Sequence, residues 1–323
     1  MDSSSRRLLV IGCGSVSQCT LPLLIEFFLL KKHLKSITII DALDQRPIIQ
    51  KYLQQYPQIQ YQQELITPSN YADILSKYLA NNDILLDLAY NLETRCLLKW
   101  CHDHQICFVN TSVELWYPFG EAHKNDPRLL TLYHRQMQLI EMQADPKWKR
   151  NGPTAIIDHG CNPGLVSHFV KRGLLDMGEH VLNQNEKILT NEEKTNLQEA
   201  VQTKNYPQLA YLLGIKTIHI SERDTQIANQ PKKVNEFVNT WSIEGLAEEG
   251  AAPAELGWGT HERNIPDGAC FHETNKGPCN QICLERKGMN TWVKRIVYNS
   301  NSVEISCCCF FFIDIGSFMG SKW

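Results

Sequence analysis

Arg7-Leu-Leu-Val-Ile-Gly12-Cys-Gly14-Ser-Val-Ser17-Gln18 is the stretch on which the fold reading turns. The apolar run from Leu8 to Ile11 has the length of a buried strand, and helix-compatible residues follow from Val16 to Lys32. Between them, Gly12 permits a tight turn, and Gly14 lacks the Cβ that would collide with an approaching pyrophosphate. A helix starting here aims its free N–H groups, those of Ser15 and Val16 first, and its positive dipole end at negative charge. Gly12, Gly14, Ser15 and Val16 are therefore candidate phosphate contacts. Ser17 stands where such fingerprints usually carry a third glycine, a small residue that still allows close helix–strand packing.

Working outward, Ser36-Ile-Thr-Ile-Ile-Asp41 is a β-branched run typical of a strand. An acid at its end can accept both ribose hydroxyls and repel a 2′-phosphate, so Asp41 is the candidate ribose ligand, with Asp44 as a fallback. No arginine directly follows Asp41, which favours NAD over NADP. Taken as bland features, the glycines would be an ordinary tight turn and Asp41 a helix N-cap, and those would have to coincide. Strand-like and helical segments continue to alternate: Pro47 to Tyr56 helical, Ile59 to Glu64 a strand, Asn70 to Ala80 a helix capped by Asn70, Asp83 to Leu88 a strand, Glu93 to His104 a helix and Ile106 to Asn110 a strand. This alternation predicts an α/β fold, a Rossmann-type doubly wound parallel sheet. Ligands sit at the carboxyl ends of such strands, so Ala89-Tyr90-Asn91 and Thr111-Ser112-Val113-Glu114 are placed over the nicotinamide.

A polar stretch from Glu121 to Pro153 marks the passage to a second, α+β catalytic domain. The expected division is 1–145 for the NAD-binding domain, 146–298 for the catalytic domain and 299–323 for an aberrant tail. In the second part, Thr154 to His159 reads as a strand running into Asn162-Pro163-Gly164 and a helix to about Asp176. Asn183 to Tyr206 reads as polar and helix-compatible, a surface excursion, and Lys216 to Ser221 and Glu236 to Glu244 as strands. From about Asn299 the text changes character: Cys307-Cys-Cys-Phe-Phe-Phe312 matches neither strand nor helix periodicity and reads as out-of-frame translation or a poorly ordered, aggregation-prone tail.

Bulk composition narrows the class. A net charge of −3 supplies no basic face for nucleic acid, though it is compatible with a small cationic substrate. No secretory signal or membrane span is read, and the 12 cysteines contain no Cys-x-x-Cys pair; Cys279 and Cys283 lack a second pair at zinc spacing. Reduced, buried thiols in a cytoplasmic protein are the expectation.

Four stretches of the second half are rich in polar groups beside glycine or aromatics: His159-Gly-Cys-Asn162-Pro-Gly164-Leu-Val-Ser-His168, Ser221-Glu222-Arg-Asp-Thr-Gln226, Asn235-Glu-Phe-Val-Asn-Thr-Trp241, and Glu248-Glu249-Gly250 continuing to Glu255-Leu-Gly-Trp258-Gly-Thr-His261-Glu262. With the glycine turn and Thr20-Leu-Pro-Leu23, they make the chain resemble the bacterial homospermidine synthases, relatives of saccharopine dehydrogenase, from about Arg7 to Val297. The resemblance implies a redox-neutral condensation. NAD takes a hydride from an amine carbon of putrescine, a second putrescine (or spermidine) replaces ammonia at the resulting imine, and the hydride returns to yield homospermidine. It also implies a homodimer.

The resemblance further assigns Trp241 to cation–π stabilisation of the iminium, Glu222 and Glu249 to binding and steering the amines, and Asn162 and Glu114 to the polar pocket. Each has a plainer reading: Trp241 as core, Asn162 before Pro163 as an N-cap, Glu222 in a surface charge cluster and Glu248-Glu249 as a solvated turn. Family members continue beyond this chain's end, which raises the expectation of a frameshifted, truncated enzyme. The rival functions are a saccharopine-type amino-acid dehydrogenase with net oxidation, and an inactive NAD-binding remnant.

Overall fold

The computed structural model describes residues 6–117, 126–148, 151–184, 189–216, 218, 229–236, 242–257, 264–272 and 281–287. The chain separates into two compact units. The first comprises Met1–Lys124, Gln138–Gly160 and Thr225–Glu249; the second comprises Asn125–Met137, Cys161–Asp224 and Gly250–Trp323.

Six strands build the sheet of the first unit: β1 (Arg7–Ile11), β2 (Ser36–Asp41), β3 (Ile59–Gln63), β4 (Ile84–Asp87), β5 (Cys107–Asn110) and β6 (Ala155–Ile156). They lie in the order β3-β2-β1-β4-β5-β6, and every pairing is parallel. Val10 faces Ile39 on one side and Leu86 on the other. Leu8 to Ile11 and Ile37, Ile39 and Ile40 are all buried, as expected of a parallel sheet covered on both faces. The intervening helices are α1 (Ser15–Leu24), α2 (Arg46–Gln55), α3 (Tyr71–Tyr78) and α4 (Thr94–Asp103). Leu21, Ile25 and Leu29 pack against Leu8, Val10, Ile37 and Ile39 to form the central core. Strand order reverses between β1 and β4, so the crevice of a doubly wound sheet falls at their carboxyl ends.

Several expectations change here. Asn70 precedes α3, but its side chain turns back, its Oδ1 accepting from the Thr67 amide at 2.7 Å and its Nδ2 donating to the Leu65 carbonyl at 3.0 Å. The polar stretch from Glu121 to Pro153 contains a helix, α5 (Leu132–Ala144), which buries Tyr133, Met137 and Leu139. The strand expected at Thr154 to His159 shrinks to the two residues of β6, which extend the parallel sheet beside β5. The strand expected at Glu236 to Glu244 runs into α9 (Ile243–Ala251), so its last two residues are helical; residues 237–241 lie outside the described set. Of Lys216 to Ser221, only 216 and 218 are described, in irregular structure.

In the second unit, α6 (Leu165–Asn183), α7 (Asn191–Gln202) and α8 (Tyr206–Leu212) share a core of Leu174, Leu197, Ala200 and Leu209. The stretch expected as a surface excursion is therefore part of a helical core. Gly178 permits it: a Cβ there would stand 2.9 Å from Val201 Cγ2 and 3.2 Å from Leu209 Cδ2. An antiparallel sheet, β7 (Pro253–Gly257), β9 (Gln281–Lys287) and β8 (Ala269–Phe271), lies in the order β7-β9-β8. Glu255 opposes Cys283 across this sheet, and Cys283 opposes Cys270. The Glu255 carboxylate accepts from the Leu132 and Tyr133 amides at 3.1 and 3.4 Å, satisfying first-turn N–H groups of α5. Its other oxygen lies 3.4 Å from Nε2 of the buried His272, whose ring packs 4.4 Å from Tyr133.

Candidate active site

At the end of β1 the chain has almost no room. The Gly12 amide donates to the Ile40 carbonyl at 2.8 Å, its φ is +90°, and a Cβ would stand 2.7 Å from the Leu88 carbonyl oxygen. Gly12 is required both by its backbone conformation and by the closeness of β4. Two residues later the situation reverses. Gly14 precedes α1, and a Cβ on it would meet nothing within 4 Å. No side chain caps α1, and its first turn holds no acid, so the helix offers its positive end to an anion from outside. Ser15 and Val16 are exposed there, whereas Ser17 is buried beneath the helix.

Asp41 binds this turn to the neighbouring one. Its Oδ2 accepts from the Cys13 amide at 2.6 Å and its Oδ1 from the Leu43 amide at 2.8 Å. A carboxylate has about four lone-pair sites, so capacity for ribose hydroxyls remains. Asp44 forms a two-point ion pair with Arg46 at the exposed surface, which holds its carboxyl down at about 2. That pair occupies both the fallback acid and the nearest arginine. The Tyr61 hydroxyl donates to the Leu43 carbonyl and accepts from the Gln45 amide, fixing the loop. Burial, with Asp41 adding to it, raises the Cys13 thiol to about 11, which makes it a poor nucleophile.

The ends of β4 and β5 carry the acids. Asp87 is the last residue of β4, in register with Ile11 and Asn110, and is 2% exposed. Burial, opposed by a hydrogen bond from the Ala89 amide and reinforced by the charge of Glu114, pushes its carboxyl up to about 8. The Tyr90 phenol is driven upward chiefly by burial and then by its hydrogen-bonded neighbour Glu248, with Glu114 and Glu244 contributing. Glu114 thus acts on both Asp87 and Tyr90, and Glu244 and Glu248 of α9 act on Tyr90, all within the first unit. Ala89, Thr111 and Ser112 lie half-buried on the same two strand ends.

The eight expected cofactor residues, Gly12, Gly14, Ser15, Val16, Asp41, Ala89, Thr111 and Ser112, therefore all fall at the ends of adjacent strands, and Glu114 falls with them. Asn162 lies in the second unit, with its Oδ1 buried and without a hydrogen-bond partner among the described residues. It is not an N-cap: α6 starts at Leu165 behind Gly164, and the Asn162–Pro163 peptide is cis. Glu222 and Trp241 lie outside the described residues; Glu249 is placed within α9, but its side chain lies outside them. Its neighbour Glu248 is buried rather than on a solvated turn. Sequence reasoning passed over Asp87, Glu244 and Glu248 as site residues and named Tyr90 only within its loop. Asp87 had a signal, a charged residue ending the apolar run Ile84-Leu-Leu.

Comparison with known proteins agrees with this geometry. Residues 8–156 match the saccharopine dehydrogenase NADP binding domain, and residues 160–304 match the saccharopine dehydrogenase C-terminal domain. The chain belongs to the saccharopine dehydrogenase family. Within it, the chain is 32% identical over 290 residues to a homospermidine synthase of Blastochloris viridis, covering 89% of this chain and 56% of that one. A homospermidine synthase of Mesorhizobium japonicum is 33% identical over 291 residues, again covering 89% and 56%. The crystal structure of homospermidine synthase from Legionella pneumophila in complex with NAD superposes with a TM-score of 0.67 at 30% identity, covering 91% of this chain and 57% of that one. The chain spans a little over half the length of these relatives.

Among the described residues no helix is long and apolar enough to cross a membrane, and no group of three or more His, Cys, Asp or Glu side chains is arranged to hold a metal. Cys101 and Cys283 are buried like Cys13, and burial raises both thiols, Cys283 to about 12.

Proposed function

We propose that this chain carries the homospermidine synthase reaction, the NAD-dependent, redox-neutral joining of two putrescines (or putrescine and spermidine) with release of ammonia. The observation that carries the reading is the pair of acids at the β4 and β5 ends, Asp87 and Glu114, with Tyr90 and the α9 acids Glu244 and Glu248 beside it, at the edge where a doubly wound sheet places the reactive end of its dinucleotide. A substrate with an ammonium at each end needs facing carboxylates, and an amino-acid substrate would instead need cations for its carboxylate.

Gly12, Gly14, Ser15 and Val16 would hold the pyrophosphate, Asp41 the ribose, and Ala89, Thr111 and Ser112 the nicotinamide side. The open space at Gly14 and the spare lone pairs of Asp41 fit such a ligand. The anionic Asp41, with Arg46 already engaged by Asp44, favours NAD over its 2′-phosphorylated form. When bound, the nicotinamide supplies a reversible hydride store, which makes the overall condensation neutral in electrons. The chain's own groups do the rest. Glu114, Glu222 and Glu249 pair the ammoniums, and one carboxylate accepts the proton that must leave the reacting amine. Trp241 offers its ring face to the cationic carbon–nitrogen group, and Asn162 orients the amine.

Along the sequence, 1–145 serves as the NAD-binding domain, 146–298 as the catalytic domain and 299–323 is an aberrant tail. The protein acts as a cytoplasmic homodimer without nucleic-acid or membrane partners. Incubating the purified chain with putrescine and NAD tests the central point. Homospermidine without lasting NADH absorbance is expected; steady NADH build-up would instead make it a net dehydrogenase. Cooperative melting with an upward shift in NAD is the accompanying check on the chain itself.

A further inference from the structure

Helix α4 begins against the loop that carries Glu114, and two side chains with no role assigned above make the junction. Asn110 ends β5 and is 1% exposed; Thr94 opens α4 and is fully buried. Asn110 Nδ2 donates to the Ser112 carbonyl at 2.7 Å and to the Thr94 hydroxyl at 3.2 Å, while its Oδ1 accepts from the Asp158 amide at 2.8 Å. The Thr94 hydroxyl also accepts from the Glu114 amide at 3.0 Å and donates to the Ser112 carbonyl at 3.4 Å. A hydroxyl has one proton and two lone pairs, and here all three are in use. The Thr94 amide, which α4 itself cannot satisfy, donates to the Glu114 carbonyl at 3.1 Å.

Glu114 is thus held by both its N–H and its C=O, and by the same residue. Two bonds to one residue fix the direction of its Cα–Cβ bond, and so the region its carboxylate can reach. That region is the acid group: the charge of Glu114 reaches both Asp87 and Tyr90.

We propose that Thr94, itself oriented by Asn110, is a positioning residue that sets the Glu114 carboxylate against an ammonium end of the substrate, a role resting on the polyamine reading above. The full chain is compared with Thr94→Val, which keeps the shape and removes the hydroxyl, and Thr94→Ser, which keeps the hydroxyl. Putrescine affinity is measured by calorimetry at saturating NADH, which cannot take a hydride from the amine, NAD affinity is measured alone, and amide hydrogen exchange is followed over residues 111–116.

Thr94→Val is expected to bind putrescine about tenfold more weakly, to bind NAD within about twofold of the parent, and to exchange faster over 111–116. Thr94→Ser restores all three. Glu114→Gln, which leaves the clamp intact, shows the putrescine loss without the faster exchange. Thr94→Cys, a weaker hydrogen-bonding side chain of similar size, stands in if the valine variant does not fold, and shows the same ordering with a smaller effect. Unchanged putrescine affinity in Thr94→Val, an equal loss of NAD affinity, or no rescue by serine overturns the positioning role. A parent chain that binds NAD but no putrescine overturns the polyamine reading, and this role with it.

Discussion

Asp87 in the parallel sheet and Glu255 in the antiparallel sheet are both acids drawn into the interior, and the molecule treats them in opposite ways. Glu255 meets two amides at the start of α5 and the imidazole of His272. Asp87 receives one backbone N–H, from Ala89, and otherwise faces burial and a second acid, Glu114. A carboxylate whose oxygen accepts from two backbone amides holds structure together. One left among other acids at a strand end is a cost to the fold, and such costs concentrate where a ligand is to supply the missing charge.

The sharpest way to break this contrast is at the turn that supports the Asp87 side. Gly12→Ala forces a Cβ to within 2.7 Å of the Leu88 carbonyl at a φ of +90°. A loss of about 3 kcal/mol or more in denaturant unfolding is expected, with NAD binding abolished. A variant that melts like the parent would mean the strand ends are looser than described.

Asp87 gives the next effect, and its sign can be worked out. A folded carboxyl near 8 holds a proton that the unfolded chain has released at about pH 4. Stability from this group is therefore greatest below pH 4 and falls as pH rises to 8, by a few kcal/mol as an upper bound. Asp87→Asn should flatten that slope, so the variant gains on the parent between pH 5 and 9 in denaturant titrations without ligand. A parallel fall in both proteins would show that the acid is compensated after all.

Glu255→Gln should go the other way, losing about 1–3 kcal/mol because the α5 amides lose their carboxylate acceptor. Stabilisation on that substitution would erase the distinction between the two acids. The smallest effect belongs to the second unit's helices: Gly178→Ala pushes a methyl toward Val201 and Leu209, whose side chains can shift. A loss of about 1–2 kcal/mol is expected, and no change in melting would mean the α6–α7 contact has slack.

The sequence showed the parallel half well because its signals are local. β2 falls at Ser36–Asp41 as its β-branched run predicts, and the glycine turn is legible because only glycine tolerates those backbone conditions. The antiparallel strands were missed. β8 has three residues, and the alternation of β9 is masked by Cys283 and Gln281 facing inward. α7 was legible as helical but not as buried, because its inward residues, Leu197 and Ala200, sit in otherwise polar text. Asp41 was legible as the acid that ends β2 but not as the clasp between two loops, because hydrogen bonds to distant amides leave no trace in local pattern. The partners of Glu114, Thr94 and Asn110, were illegible for the same reason.

The first unit takes up the chain three times: through Lys124, from Gln138 to Gly160, and again from Thr225 to Glu249. A ribosome that has delivered only the first five strands has made neither the edge strand β6 nor the helix bearing Glu248. The phosphate turn can therefore form early in synthesis, but the acid group cannot close until residue 248 has emerged. Any fragment cut near residue 145 would keep the nucleotide turn and lose part of the chemistry.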